Sequence, residues 1–368
     1  MRKTNDGTVT PGAENTKEAP YVEYLNFFRD ATRFWMGLAG LGKPGWQSYN
    51  TIVLDTDAFK LRRFSDGRNG TPILILGPQA GHHTCIVDYA VPGQSLVELC
   101  RAATNRPVYA IEWKSASISR RHETIDDLIK QTDQCVKTIG DSVHLVGLCQ
   151  GGWQSTIYTA LHPEKVHSLI LGGAPIDFTA GGGKLQDMVQ HLPLFFYDAL
   201  VMGGLGVMSG HYIVAGFKNM NPYERYIKDY IEMFKSMNNP VAVKRSHHFR
   251  SWYEHTQDLA GIWYLQAVRR LFKENKLIKG SLWVLGRRVS LRQIACPVVC
   301  IAGEKDDITL EPQLFGVADR VSGKVRKMTV PDCGHIGLFI RREALQRYWK
   351  PALEFVLKEA RDRTYSCT

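Results

Sequence analysis

The chain has 368 residues, 44% hydrophobic and 22% charged, which is enough apolar material for a large core with an ordinary charge load. Length suggests two units at about 150 residues each, although α/β folds often run longer as one. The formal net charge of +10 favours a phosphate-bearing partner or an anionic surface, but the basic residues are scattered in pairs such as Arg120–Arg121 and Arg269–Arg270 with no nucleic-acid motif beside them, so nucleic-acid binding is not expected.

Residues 1–50 read as a tail followed by a helix. The first twenty lack the apolar run of a signal peptide. Over 21–41, Leu25, Phe28, Phe34, Trp35 and Leu38 recur at helical spacing. From Thr51 the pattern changes to strands: Ile52–Leu54, Phe59–Phe64 and the continuous apolar run Pro72–Leu76, the last as expected of a strand buried on both faces. A helix at Gln94–Ala103, a strand at Val108–Trp113, a helix at Thr124–Ile139 and a strand at Val143–Leu148 follow. The next helix runs from about Trp153 to Leu161, with a strand at His167–Leu171. This alternation predicts an α/β fold with a mostly parallel sheet and helices on both faces.

The alternation breaks off over 176–290, which is rich in glycine, aromatics and methionine and reads mostly helical. It resumes at Pro297–Ala302, Lys327–Val330 and a helix from about Leu345 to Glu359. Residues 51–175 and 291–368 are therefore expected to form the core, with 176–290 inserted as a cap. The lightly charged stretch Leu192–Phe217 contains Asp198, His211 and several glycines, so no membrane span is expected. The eight cysteines (85, 100, 135, 149, 296, 300, 333 and 367) form no CxxC pair and no zinc-site spacing. No metal is expected, and the usage suits a reducing cytoplasm.

Gly147-Leu148-Cys149-Gln150-Gly151 is a G-x-nucleophile-x-G elbow with Cys in place of Ser, between a predicted strand and a predicted helix. Glycine is needed at both ends because side chains there would collide with the neighbouring strand and helix. The helix N-terminus aimed at Cys149 favours its thiolate. In this α/β-hydrolase arrangement an acid and then a histidine follow the nucleophile. IAGEKDDIT supplies Asp306 and Asp307, and VPDCGHIGLF supplies Asp332 and His335, both at carboxyl ends of predicted strands. Asp306 is preferred to Asp307, with Asp332 and Asp177 weaker; His335 is preferred to His82, His83, His211, His247 and His248. Backbone amides of Gln150 and Gln79 are candidates for an oxyanion hole. Trp252 and Trp263 are candidates for the acyl site, with core packing as the alternative.

GLCQGGW, CGHIGLF, the run LFKENKLIKGSLWVLGRRVSLRQIACPVVCIAGEKDDIT, and DYAVPGQSLVELC followed by PVYAIEW together resemble the polyhydroxyalkanoate synthases over about residues 70–355. The resemblance implies Cys149, Asp306 and His335 as a catalytic triad, a hydroxyacyl-CoA substrate with coenzyme A as leaving group and no other cofactor, and transfer to a growing polyester. It also implies a separate partner synthase subunit, as in the short synthases. A homodimer and a place at the polyester granule surface in the cytoplasm are further expectations. Two departures stand out. Asp307 occupies a position where synthases usually carry His, and the loop after the first core strand reads GPQAGHH. Both point to a synthase-like branch and leave three readings: a synthase, a depolymerase or thioesterase using the same triad with water as acceptor, and a non-catalytic granule-associated protein.

Overall fold

The structure is a computed structural model and describes residues 42–366 apart from 66, 68, 69, 90–92 and 236–238. The helix expected over 21–41 lies outside the described residues. Strands β1 (Thr51–Asp55), β2 (Phe59–Arg63), β3 (Ile73–Leu76), β4 (Val108–Trp113), β5 (Val143–Leu148) and β6 (Val166–Gly172) form the first part of the main sheet. Two short ribbons intervene: β7 (Val207–Met208) with β8 (Leu259–Ala260), and β9 (Trp283–Val284) with β10 (Arg287–Arg288). Strands β11 (Val298–Gly303) and β12 (Val325–Val330) complete an eight-stranded sheet in the order β1-β2-β4-β3-β5-β6-β11-β12. From β4 to β12 every neighbouring pair is parallel; β1 and β2 close one edge as an antiparallel hairpin.

Period-two alternation divides the core into layers on the two faces of this sheet. Leu74, Leu76, Leu145, Val298 and Cys300 point into one cluster, and Ile73, Ile75, Val146, Val299 and Ile301 into the other. Helix α1 (Leu96–Ala103) begins at Ser95, whose hydroxyl accepts from the Glu98 amide. Helix α2 (Ile125–Ile139) begins with a reciprocal capping box between Thr124 and Asp127 and ends at Gly140, φ 126°. Of the apolar positions that its spacing marks, Ile125, Leu128, Ile129 and Val136 are buried, while Ile139 at its end is half-buried. Helix α3 (Gln150–Leu161) starts three residues earlier than its apolar pattern suggests, because the elbow feeds straight into it. Strand β12 begins at Val325 rather than Lys327; its exposed Arg326 and Lys327 hide the edge strand from a hydrophobicity reading.

The insertion between β6 and β11 contains α4 (Lys184–His191), α5 (Leu194–Gly203), α6 (Gly210–Met220), α7 (Pro240–Glu254) and α8 (Gly261–Gln266). The two-residue ribbons within it are too short to leave a periodic signal. None of the described helices is long and apolar enough to cross a membrane.

Candidate active site

Cys149 stands at φ 51°, ψ −120° between β5 and α3, a conformation that non-glycine residues rarely adopt and that concentrates at functional sites. The flanking glycines allow it. A Cβ on Gly147 would lie 2.6 Å from Ser155 Oγ and 2.7 Å from Gly152 Cα, and one on Gly151 would press into the Leu76 and Gly77 carbonyls. The turn is fixed by the Cys149 amide donating to the Gly172 carbonyl at 2.9 Å, while the Cys149 carbonyl accepts from the Gly152 amide at 2.9 Å. Burial pushes Cys100 and Cys300 up to about 12 and raises Cys85 and Cys135 still further, so all four stay protonated.

The histidine loop after β12 and the acid loop after β11 meet at Cys149. His335 Nδ1 donates to Asp306 Oδ2 at 2.8 Å. Asp306 is held in turn by the amides of Ile308 and Thr309, each donating to Oδ1 at 2.9 Å. Both side chains are buried. Burial disfavours the charged ring, but the Asp306 and Cys149 charges and hydrogen bonds outweigh it and hold the His335 pKa well above the ordinary histidine value. The rival acids have other partners. Asp307 accepts from Asn221 Nδ2 at 2.7 Å, Asp332 pairs with Lys305 at 2.6 Å, and Asp177 accepts from Asn275 Nδ2 at 2.7 Å.

Two cavities meet at Cys149, and both also border Ala80, Phe217 and Ile308. The first, about 420 Å³, is mostly apolar and runs under α4, α5 and α6 past Leu185, Val189 and Leu200. The second, about 360 Å³, lies on the His335 side and is bordered by His82, Asn221, Trp252, Tyr253, Lys305 and Asp307. Trp252 therefore reaches the site. Trp263 does not: it is 1% exposed and packed in the core, and the next residue, Tyr264, borders the first cavity. Adjacent helical residues differ by about 100° in direction, so one turns in where the other turns out. Gln150 opens α3 directly after Cys149, and Gln79 is buried in the loop after β3. Ala80 rather than Gln79 borders both cavities.

The loop carrying Gln79 and Ala80 is locked by a feature the sequence does not announce. The His82 ring stacks on Trp252 (4.6 Å) and on Tyr253 (5.0 Å), and its Nε2 lies 3.1 Å from the Tyr253 carbonyl. Trp252 Nε1 donates to the His83 carbonyl at 2.6 Å. Loop and α7 are thereby clasped together. Burial holds the His82 pKa down to about 4, against roughly 6.5 in an unfolded chain. As pH falls below about 6.5 the unfolded chain binds a proton that the folded one does not, so stability is lost down to about pH 4. Between pH 7.5 and 5 this one group should remove about 2 kcal/mol. Urea unfolding of the wild-type and His82→Phe proteins at both pH values checks it. The variant should lack that part of the decline, and equal declines would show that the ring titrates normally.

The chain is 29% identical over 266 residues to the "Poly(3-hydroxyalkanoate) polymerase subunit PhaC" of Allochromatium vinosum, covering 70% of this chain and 73% of that protein. It is also 29% identical over 248 residues to the subunit of the same name from Haloferax mediterranei, covering 66% of this chain and 50% of that one. The chain thus spans about half the length of the Haloferax mediterranei protein and 53% of its Haloarcula marismortui counterpart. Among solved structures, alpha/beta hydrolase domain-containing protein 10 from mouse is 15% identical with a TM-score of 0.50, covering 84% of this chain and 99% of that one. The Paleococcus ferrophilus monoacylglycerol lipase is 16% identical with a TM-score of 0.51, covering 82% and 99%. These two likenesses establish the α/β-hydrolase fold and nothing finer. The family model described as "Protein of unknown function (DUF3141)" matches residues 59–343, and the chain belongs to that family.

Proposed function

We propose that the protein is a cysteine-dependent acyltransferase that takes the acyl group of a hydroxyacyl-CoA onto Cys149 and passes it to the terminal hydroxyl of a polyester. The observation that carries this reading is the hydrogen-bonded line from Asp306 through His335 to Cys149, opening directly into an apolar cavity. In the first half-reaction His335 takes the Cys149 proton and the thiolate attacks the thioester carbonyl. The amides of Gln150 and of the Gln79–Ala80 loop receive the developing oxyanion. The bond to coenzyme A sulfur breaks, and His335 returns the proton to that leaving thiol. Exchange of one thioester for another makes this loading nearly isoenergetic. In the second half-reaction His335 takes the proton of the acceptor hydroxyl, which attacks the Cys149 thioester; the ester forms as the acyl–sulfur bond breaks, and His335 returns the proton to the Cys149 sulfur.

Asp306 orients the imidazole so that Nε2 is left for the proton transfers. Lys305 at the second cavity suits the phosphates of coenzyme A. The similarity to named poly(3-hydroxyalkanoate) polymerase subunits supports the same substrate class. It also raises a separate partner subunit as part of the working enzyme.

The test is incubation with 3-hydroxybutyryl-CoA, with and without candidate partner subunits, scoring both free thiol and product. Thiol release with insoluble polyester is expected. Thiol release with only soluble hydroxyacid would replace the transferase reading with hydrolysis by the same three residues.

A further inference from the structure

The loop that carries Gln79 and Ala80 is an arch over residues 77–83. Its first foot is the end of β3, where Gly77 packs so closely on Thr84 that a Cβ would fall 2.3 Å from the Thr84 Cγ2. Its second foot is His83, which opens a short 3₁₀ helix (Thr84–Val87). The crown keeps its place only as well as both feet are held. On the cap side Trp252 donates to the His83 carbonyl. On the opposite side stands a cluster that the mechanism does not use.

That cluster is built around Glu112 of β4, which is 8% exposed. Its Oε2 accepts from Arg62 Nε at 2.5 Å and from Trp46 Nε1. His83 Nδ1 accepts from the Cys85 amide at 3.1 Å, so the proton of the neutral ring sits on Nε2. That nitrogen lies 3.9 Å from the same Glu112 oxygen. The Trp46 ring meets His83 edge-on at 6.2 Å and leans on Phe64 at 5.0 Å. Trp46 is itself anchored, because the amides of Gln47 and Ser48 donate to Asp88 at 2.8 and 2.7 Å. Burial opposes the charge on Glu112, but the Arg62 and Trp46 hydrogen bonds outweigh it and hold its pKa below the ordinary carboxylate value. A buried carboxylate is costly unless it is paired. This one draws together β2, the segment ahead of β1 and the second foot of the arch.

We propose that Glu112 and Trp46 are positioning residues, which brace His83 so that the Gln79–Ala80 amides stay aimed at the oxyanion beside Cys149. The inference rests on the acyl-enzyme reading, because only that reading gives those amides a charge to receive.

Two reagents separate the aim of the amides from the reactivity of the thiolate. Iodoacetamide alkylates the Cys149 sulfur with loss of iodide and makes no oxyanion. A propyl trifluoromethyl ketone adds to it reversibly: the sulfur–carbon bond forms, the carbonyl π pair moves onto oxygen, and His335 keeps the Cys149 proton. The adduct therefore depends on the oxyanion amides. Fluorine NMR gives its dissociation constant, and peptide mapping gives the rate of Cys149 alkylation. Deleting an oxyanion donor costs about 100- to 1,000-fold, so displacing one should weaken the adduct about tenfold. That loss is expected in Glu112→Gln and in Trp46→Leu, with alkylation rates close to wild type in both. Trp46 is only half-buried, so its variant decides the matter if the change at buried Glu112 prevents folding. An adduct of wild-type affinity in a folded variant, or alkylation that falls in step with adduct affinity, would overturn the inference and leave the acyl-enzyme reading standing. Wild-type protein that forms no ketone adduct on Cys149 would overturn both.

Discussion

Cys149→Ala is expected to lower thiol release from a hydroxyacyl-CoA by about 10⁴-fold or more. The size of the effect follows from what the side chain does. In the proposed mechanism, loss of the sulfur removes the covalent intermediate and leaves only binding and the oxyanion amides to act on the thioester. Alanine keeps a Cβ at the strained elbow position, φ 51°, and removes a single atom from a site that is 7% exposed. The fold should therefore survive. Cys149→Ser, which keeps the shape of the elbow but offers a less acidic hydroxyl, should fall between the two. A Cys149→Ala protein that releases thiol at near wild-type rate would show that another nucleophile or a water reaction is at work. Steady-state thiol release with a chromogenic reagent, alongside thermal melts of each variant, makes the comparison.

The second large effect is at Asp306. Asp306→Asn should reduce thiol release by about 10³- to 10⁴-fold, whereas Asp307→Asn should change it little. The asymmetry comes from hydrogen-bond direction. Oδ1 of Asp306 accepts from the Ile308 and Thr309 amides, and Oδ2 accepts from His335 Nδ1. In the asparagine variant the carbonyl oxygen is drawn to the two amides, so the NH₂ group faces the histidine. Nδ1 must then accept, which leaves the proton on Nε2, the nitrogen that should receive the Cys149 proton. Asp307 bonds Asn221 instead, at the wall of the second cavity. Loss of activity in Asp307→Asn with activity kept in Asp306→Asn would reverse the assignment.

The parts of this site that were readable from the chain are those whose constraints are local. The elbow needs two glycines within five residues, and strand and helix patterns flank it. The order of acid and histidine is set by two loops that each follow an apolar strand. Asp306 and Asp307 are adjacent, so residue types alone left them close; the backbone amides of Ile308 and Thr309 are what fix Asp306. The cap was harder to read. An apolar side chain on a cap helix looks the same whether it packs on the core, as Trp263 does, or borders a cavity, as Tyr264 does. Gln186 looks like an ordinary surface residue of an amphipathic helix until the structure buries it. The His82 clasp depends on Trp252 and on Tyr253, the latter 171 positions away in sequence, and leaves no local trace. Likewise, Asp88 accepts from the backbone of Gln47 and Ser48 and from the hydroxyls of Ser48 and Ser95, anchoring residues ahead of β1 that no periodicity connects to it.

The most direct test of the account is whether an acyl group forms on Cys149. Wild-type protein should be mixed with 3-hydroxybutyryl-CoA, quenched in acid within the first turnover, and examined by intact-mass and peptide-mapping mass spectrometry. The predicted result is a mass increase equal to one or more hydroxybutyryl units that maps to the peptide containing Cys149 and is removed by hydroxylamine. The same treatment should leave Cys149→Ala unmodified. Thiol release that proceeds with Cys149 unmodified, or with the acyl group on a different residue, would contradict the account.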